Sequence, residues 1–170
     1  PAWTTIAQTQ NKGEAPMTQT IEARKLAGPH HIAYRCRDAE ETRRFYEDIL
    51  GLRLAAALVF DDMVSTGEKR PHMHLFFDIG NGNFIAFFDD PDGADPNWFQ
   101  RKHSFDMHIA FEARSEEDML AMQARIKSMG KSCLGPVDHR FVKSVYMYDP
   151  NGIQVEITWR TPDHDRIMSE

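Results

Sequence analysis

One pattern of apolar and polar positions occurs twice along the chain. His31-Ile32-Ala33-Tyr34 returns as His108-Ile109-Ala110-Phe111, and each copy is a period-two run that leads directly into a helix start. In the first copy Asp38 is an N-cap candidate with Glu41 three residues on. Phe45, Tyr46, Ile49 and Leu50 then follow at helical spacing until Gly51. In the second, Ser115 caps with Asp118 at the third position, Met119, Met122, Ile126 and Met129 form the apolar stripe, and Gly130 ends it. Such stripes are read as helix faces packed on a sheet.

Three strands are predicted after each helix. In the first half they are 52–60, 72–79 and 83–88, with Asn81-Gly82 as the left-handed turn of a tight hairpin. In the second half they are a short strand over 132–136, then 143–148 and 153–159, the last two joined by the turn Asp149-Pro150-Asn151-Gly152. Strand, helix and three strands, twice over, predict an α+β fold rather than a doubly wound parallel sheet. The expected layout is a mobile arm over 1–26, one domain over 27–160 made of module one (27–92) and module two (104–160), and a tail over 161–170.

Alternation decides which way the polar side chains point. In the first strand Ile32, Tyr34 and Cys36 share one face and His31, Ala33 and Arg35 the other. In the first strand of the repeat Met107, Ile109 and Phe111 oppose His108 and Ala110, and in the last strand Ile153, Val155 and Ile157 oppose Gln154, Glu156 and Thr158. The bulky faces meet the helices. His31, His108 and Glu156 then fall on helix-free faces, and a pseudo-twofold relation between modules draws the two histidines toward one site. A carboxylate and two imidazoles set in a protein wall are costly unless something satisfies them, and a divalent cation would satisfy all three. Two imidazoles and one carboxylate with the remaining positions open suit non-haem Fe(II), with zinc, manganese or nickel as other occupants.

Composition narrows the function classes. The chain of 170 residues has a net charge of -6 and no dense run of Lys or Arg, which argues against nucleic acid. No apolar run approaches the roughly 18 residues of a membrane span, and no basic start followed by an apolar block marks a secretory signal. A cytoplasmic setting is expected. Cys36 and Cys133 have no zinc-ribbon spacing and are read as core thiols. Met17 is a candidate natural start. Trp98, Phe99 and Phe105, around the linker, pack between the modules or line a cleft mouth; His30, His103 and His164 are read as peripheral.

The segments HHIAYRCRDAEETRRFYEDILGL, DMHIAF and YMYDPNGIQVEIT resemble the vicinal oxygen chelate superfamily, which includes glyoxalase I, bleomycin-resistance proteins, fosfomycin-resistance enzymes and type I extradiol dioxygenases. The resemblance implies paired βαβββ modules whose sheets form a U-shaped, metal-holding cleft with helices on the outer face. Ala86 stands where glyoxalase-type lyases place a fourth ligand, so the trio His31, His108 and Glu156 is more like the extradiol dioxygenases. Tyr146, before the DPNG turn, matches the tyrosine that in those enzymes holds a substrate hydroxyl, and His139 the histidine on the loop ahead of it. No histidine stands in the hairpin at 78–83 where they carry an acid-base residue; His74, preferred over His72, is the candidate substitute. Arg35 and Ala86 are expected on the substrate side, with Arg35 read first as paired with an acid near the strand end and otherwise as binding an anionic substrate group. The implied activity is ring cleavage of a small catechol-like substrate with O2 and Fe(II), in a likeness that leaves a glyoxalase-type lyase or isomerase and a metal-free binding protein as alternatives. A homodimer is expected.

Overall fold

The computed structural model describes residues 28–170, so the expected arm and the candidate start at Met17 lie outside the described residues. Module one runs β1 (His31–Cys36), α1 (Ala39–Arg43) continuing into a π-helical turn (Arg44–Ile49), β2 (Leu54–Asp62), β3 (Lys69–Gly80) and β4 (Asn83–Asp89). A 3-10 turn at Pro96–Phe99 lies in the linker. Module two follows as β5 (His108–Glu112), α2 (Glu116–Ser128), β6 (Leu134–Asp138), β7 (Val142–Tyr148) and β8 (Gln154–Arg160), and a short α3 (His164–Met168) ends the chain. The sheets have the orders β1-β4-β3-β2 and β5-β8-β7-β6, with β1 parallel to β4, β5 parallel to β8, and the other pairs antiparallel. The α+β plan of two βαβββ modules is therefore realised, with both sheets open.

The helix starts are the capped ones. Asp38 Oδ1 accepts from Glu41 N at 2.7 Å and Ser115 Oγ from Asp118 N at 3.0 Å. The first helix does not stay α to Leu50: it widens after Arg43, and Leu50 N reaches back five residues to Phe45 O at 3.1 Å. In α2, Met119 and Ile126 are fully buried, but Met129 is the C-cap and is exposed, because the helix ends one residue before it.

Strand limits differ where proline interrupts pairing. β3 starts three residues before the expected His72, passing through Pro71, and the β2–β3 register shifts between Phe60 and Asp62 to accommodate a residue with no N–H. β6 begins at Leu134 rather than 132, with its register shift across Gly135-Pro136. Asn81 and Gly82 have φ of 55° and 74°, the pair of left-handed residues that the β3–β4 turn requires.

The core lies on the helix side of both sheets: Cys36, Phe45, Tyr46, Phe77 and Phe87 from module one continue into Met119, Ile126, Val145 and Val155 from module two. The two cysteines are both buried free thiols, and burial pushes Cys36 up to about 12, far from thiolate reactivity. The links between modules are also on this side. Tyr46 Oη donates to Asp149 Oδ2 at 3.0 Å, and Arg37 N donates to Asn151 Oδ1 at 2.9 Å. Arg125 caps the end of the first helix by donating to the carbonyls of Ile49 (2.9 Å) and Asp48 (2.7 Å), groups left without helical partners. A side chain at Gly152 would strike the carbonyl of Gln100, so the linker runs hard against the β7–β8 turn. Among the described residues no helix is long and apolar enough to cross a membrane.

Candidate functional site

Glu156 lies in the middle of β8, opposite Tyr146 on β7 and beside Ala110 on β5. Its backbone neighbours Val155 and Ile157 point into the core, so alternation fixes the carboxylate on the helix-free face, where it is only 7% exposed. The methyl of Ala110 leaves room for the imidazole of His108 to lean across, and His108 Nε2 stops 3.6 Å from Glu156 Oε2. The other ring nitrogen, Nδ1, lies 2.7 Å from the carbonyl of Ser104. A carbonyl only accepts, so Nδ1 carries a hydrogen, and in the neutral ring this leaves the Nε2 lone pair facing the carboxylate. In that form the two acceptors would be satisfied by a cation between them. A nitrogen and an oxygen ligand bonded at about 2.0–2.2 Å to one divalent ion suit this donor pair.

A second chain of contacts enters from the β6–β7 hairpin. His139 Nε2 lies 2.7 Å from Tyr146 Oη, which is 3.2 Å from Glu156 Oε1. The phenol has one hydrogen, and the assignment that satisfies every atom has His139 Nε2–H donating to Tyr146 and Tyr146 donating to the carboxylate. Burial raises the Tyr146 phenol above its ordinary range, which keeps that proton in place. Tyr148, two residues on, is held by the linker instead: its hydroxyl donates to Lys102 O at 3.1 Å and Arg101 lies over its ring.

The helix-free face of module one is aromatic. His31, Phe84, Ala33, Ala86, Arg35 and Phe88 line up across β1 and β4, with His74 and Phe76 beside them on β3. His31 Nδ1 contacts His30 Nδ1 at 2.9 Å; alternation does not extend to His30, which precedes the strand and turns toward the site. The ring of His31 is 5.4 Å from Phe76 and 5.9 Å from His74. His74 is stacked on Phe88 at 3.7 Å, is 9% exposed, and its buried Nε2 has no hydrogen-bond partner among the described residues. Burial, with His31 and His72 adding to it, holds its pKa below the usual imidazole range. Ala86 is fully buried between Ala33 and Phe76. Arg35 is tied to Asp90.

The structure thus groups His108, Glu156, Tyr146 and His139 on one sheet and His31 with His74 on the other. Among the described residues no three His, Cys, Asp or Glu side chains gather closely enough to hold a metal. His72 bonds through Nδ1 to Arg70 O, while His103 accepts from Phe105 N and His164 pairs with Asp165. Phe105, one of the linker aromatics, is 93% exposed and packs between nothing. Sequence reasoning missed the Ser104 carbonyl, since a backbone acceptor leaves no residue signature. It also missed Asp90 and Arg70, whose opposite charges at neighbouring strand ends were the available signal.

Solved structures similar to this one share its fold. A glyoxalase/dioxygenase from Nostoc punctiforme is 26% identical, with 90% of this chain and 99% of that chain covered at a TM-score of 0.60. A glutamate-to-glutamine variant of the fosfomycin resistance protein FosX from Listeria monocytogenes, complexed with Mn(II) and 1S,2S-dihydroxypropylphosphonic acid, is 21% identical over 84% of this chain and 98% of that one, TM-score 0.60. An antibiotic-binding protein from Streptomyces sp. CB03234, TnmS3, is 16% identical over 81% and 99%, TM-score 0.56. No curated protein matches the chain. The profile of one family matches residues 28–157, which span both modules and every residue of the two groups above, and on that match the chain belongs to the Glyoxalase/Bleomycin resistance protein/Dioxygenase superfamily.

Proposed function

We propose that the protein is a metal-dependent enzyme acting on a small substrate with two adjacent oxygens, and that its reaction is the ring cleavage of a catechol-like compound. The observation that carries the reading is the arrangement around Glu156: a buried carboxylate faced by the His108 imidazole on one side and by a proton-carrying phenol, itself backed by His139, on the other. His31, His108 and Glu156 would hold the metal. Bound there, Fe(II) would supply Lewis acidity toward the substrate hydroxyls and redox chemistry with O2 as co-substrate. Tyr146 then orients one substrate hydroxyl, and His139, reaching the surface, replaces the phenol proton. His74 presents a neutral imidazole with an unclaimed Nε2 from the opposite wall.

His31 comes to this site from a second copy of the chain. Within one chain the modules are joined on their helix side, while β1 and β5 are sheet edges. A homodimer that apposes module one of each copy to module two of the other assembles two complete trios. Two buried free thiols suit a reducing, cytoplasmic setting.

The deciding experiment is anaerobic reconstitution with Fe(II), followed by oxygen uptake on a catechol panel. Stoichiometric uptake with a ring-cleaved product is expected. Turnover without oxygen would replace ring cleavage by a lyase or isomerase reaction of the glyoxalase type, and a chain that binds small molecules but no metal would be a sequestration protein.

A further inference from the structure

We propose that the helix-free face of module one carries a carboxylate-recognition subsite centred on Arg35, which selects substrates bearing one carboxylate at the end remote from the reacting oxygens. The proposal rests on the reading of that face as one wall of the active site.

Three strands bring charges together at one end of this face. Arg35 is near the end of β1, Arg70 near the start of β3, and Asp90 directly after β4. Asp90 is 5% exposed and carries a single negative charge against two guanidinium groups. Arg70 alone satisfies it, with Nε donating to Oδ1 at 3.1 Å and Nη2 to Oδ2 at 2.6 Å. Gly93 closes over that pair so tightly that a Cβ there would collide with Arg70 Nη2. Arg70 is locked.

Arg35 is the less engaged of the two cations. Only its Nη1 is engaged, at 2.5 Å from Asp90 Oδ2 and 3.4 Å from Gly93 O, and the donors on Nε and Nη2 have no partner among the described residues. The guanidinium carbon lies over the ring of Trp98, 4.6 Å from its centroid, and the side chain is 33% exposed. A planar fork with unused donors, lying against the ring of Trp98, is matched by a planar carboxylate.

The position sets the shape of the substrate. Arg35 lies four residues beyond His31 on β1, roughly 13 Å along the strand, with Ala33 between them as an exposed, small floor. His74 and Phe88 share the row of Arg35 and Phe76 that of Ala33, so the intervening wall is aromatic. An aromatic diol with a carboxylate on a flexible three-carbon arm fits this spacing.

The test is calorimetric titration of the full chain, loaded anaerobically with Fe(II), with 4-(3,4-dihydroxyphenyl)butanoate and with its neutral amide. The acid should bind about 10- to 100-fold more tightly, the value of charge-assisted hydrogen bonds to one guanidinium. In Arg35→Gln the two should bind within a factor of about two of each other, with the amide unaffected. Because Asp90 keeps Arg70, this variant should fold. If it does not, Arg35→Lys, which keeps the charge without the fork, must narrow the acid-to-amide ratio several-fold. Equal binding of acid and amide to the unaltered chain, or a ratio that survives either substitution, overturns the subsite. If neither diol binds the metal-loaded protein, the proposed function fails separately, and 4-phenylbutanoate on the metal-free chain decides the subsite alone: binding abolished in Arg35→Gln supports it, and no binding to the unaltered chain rejects it.

Discussion

Tyr146 and Glu156 face each other on adjacent antiparallel strands, and the phenol oxygen lies 3.2 Å from the carboxylate while His139 approaches it to 2.7 Å from the other side. The phenol is therefore a positioned donor between a carboxylate and a proton source. Tyr146→Phe should retain bound metal and slow turnover roughly 10- to 1000-fold, the effect of removing one oriented hydrogen bond from a reacting group. Metal content together with kcat on the best catechol substrate checks this; a variant as fast as the parent would remove Tyr146 from the chemistry.

The carboxylate of Glu156 lies on the helix-free face while its neighbours Val155 and Ile157 stay in the core, so the side chain can be altered without disturbing the packing. Glu156→Gln should fold normally and bind divalent metal at least about 100-fold more weakly, since even groups that only orient the ligands are worth roughly 10- to 100-fold. Binding in the parent should weaken on acidification, because imidazole and carboxylate ligands must shed protons to bind a cation. Elemental analysis after dialysis provides the measurement, and unchanged metal content would make this carboxylate structural.

The module plan was legible because it is written in local pattern: Asp38 with Glu41, Ser115 with Asp118, Asn81-Gly82, and strict alternation through β1, β5 and β8. Alternation also places Glu156, His108 and Tyr146 on one face, since it follows from strand geometry alone. What was not legible depends on long sequence separations. Nothing near Tyr46 announces that its hydroxyl meets Asp149, and nothing near Arg125 that it caps a helix in the other module. Those contacts decide which faces of the modules meet. The π-helical turn after Arg43 and the strand starts at Lys69 and Leu134 escaped for a different reason: polar or proline-bearing ends carry no period.

Asp90 gives stability a distinct pH signature. Its bonds with Arg70, and then with Arg35, hold its carboxyl below the ordinary aspartate range. A depressed folded-state pKa favours folding fully above the unfolded value near 3.9 and loses that contribution as pH falls through the lower folded value. Asp90→Asn should therefore cost about 1–3 kcal/mol at pH 7, with both arginines still reaching solvent, and the gap to the parent should shrink below about pH 4. Chemical denaturation at about pH 7 and about pH 3.5 tests this. A gap that is constant with pH would mean that the side chain's shape rather than its charge holds the cluster.

The last prediction separates two ways of completing the trio. Within one chain, Tyr46 to Asp149, Arg37 to Asn151 and Arg125 to Ile49 hold the modules together by their helix sides, which leaves the edges β1 and β5 to find partners elsewhere. In the proposed homodimer, twofold pairing of two chains would place His31 of one beside His108 and Glu156 of the other. His31→Ala and Glu156→Ala should each be inactive alone. Refolded together in equal amounts, half of the dimers are mixed, and each mixed dimer has one site with both defects and one with none, so activity should return to about a quarter of the parent level. Mixing without refolding should restore it only as fast as subunits exchange. If the trio instead closes within a single chain, every site keeps one defect and mixing restores nothing.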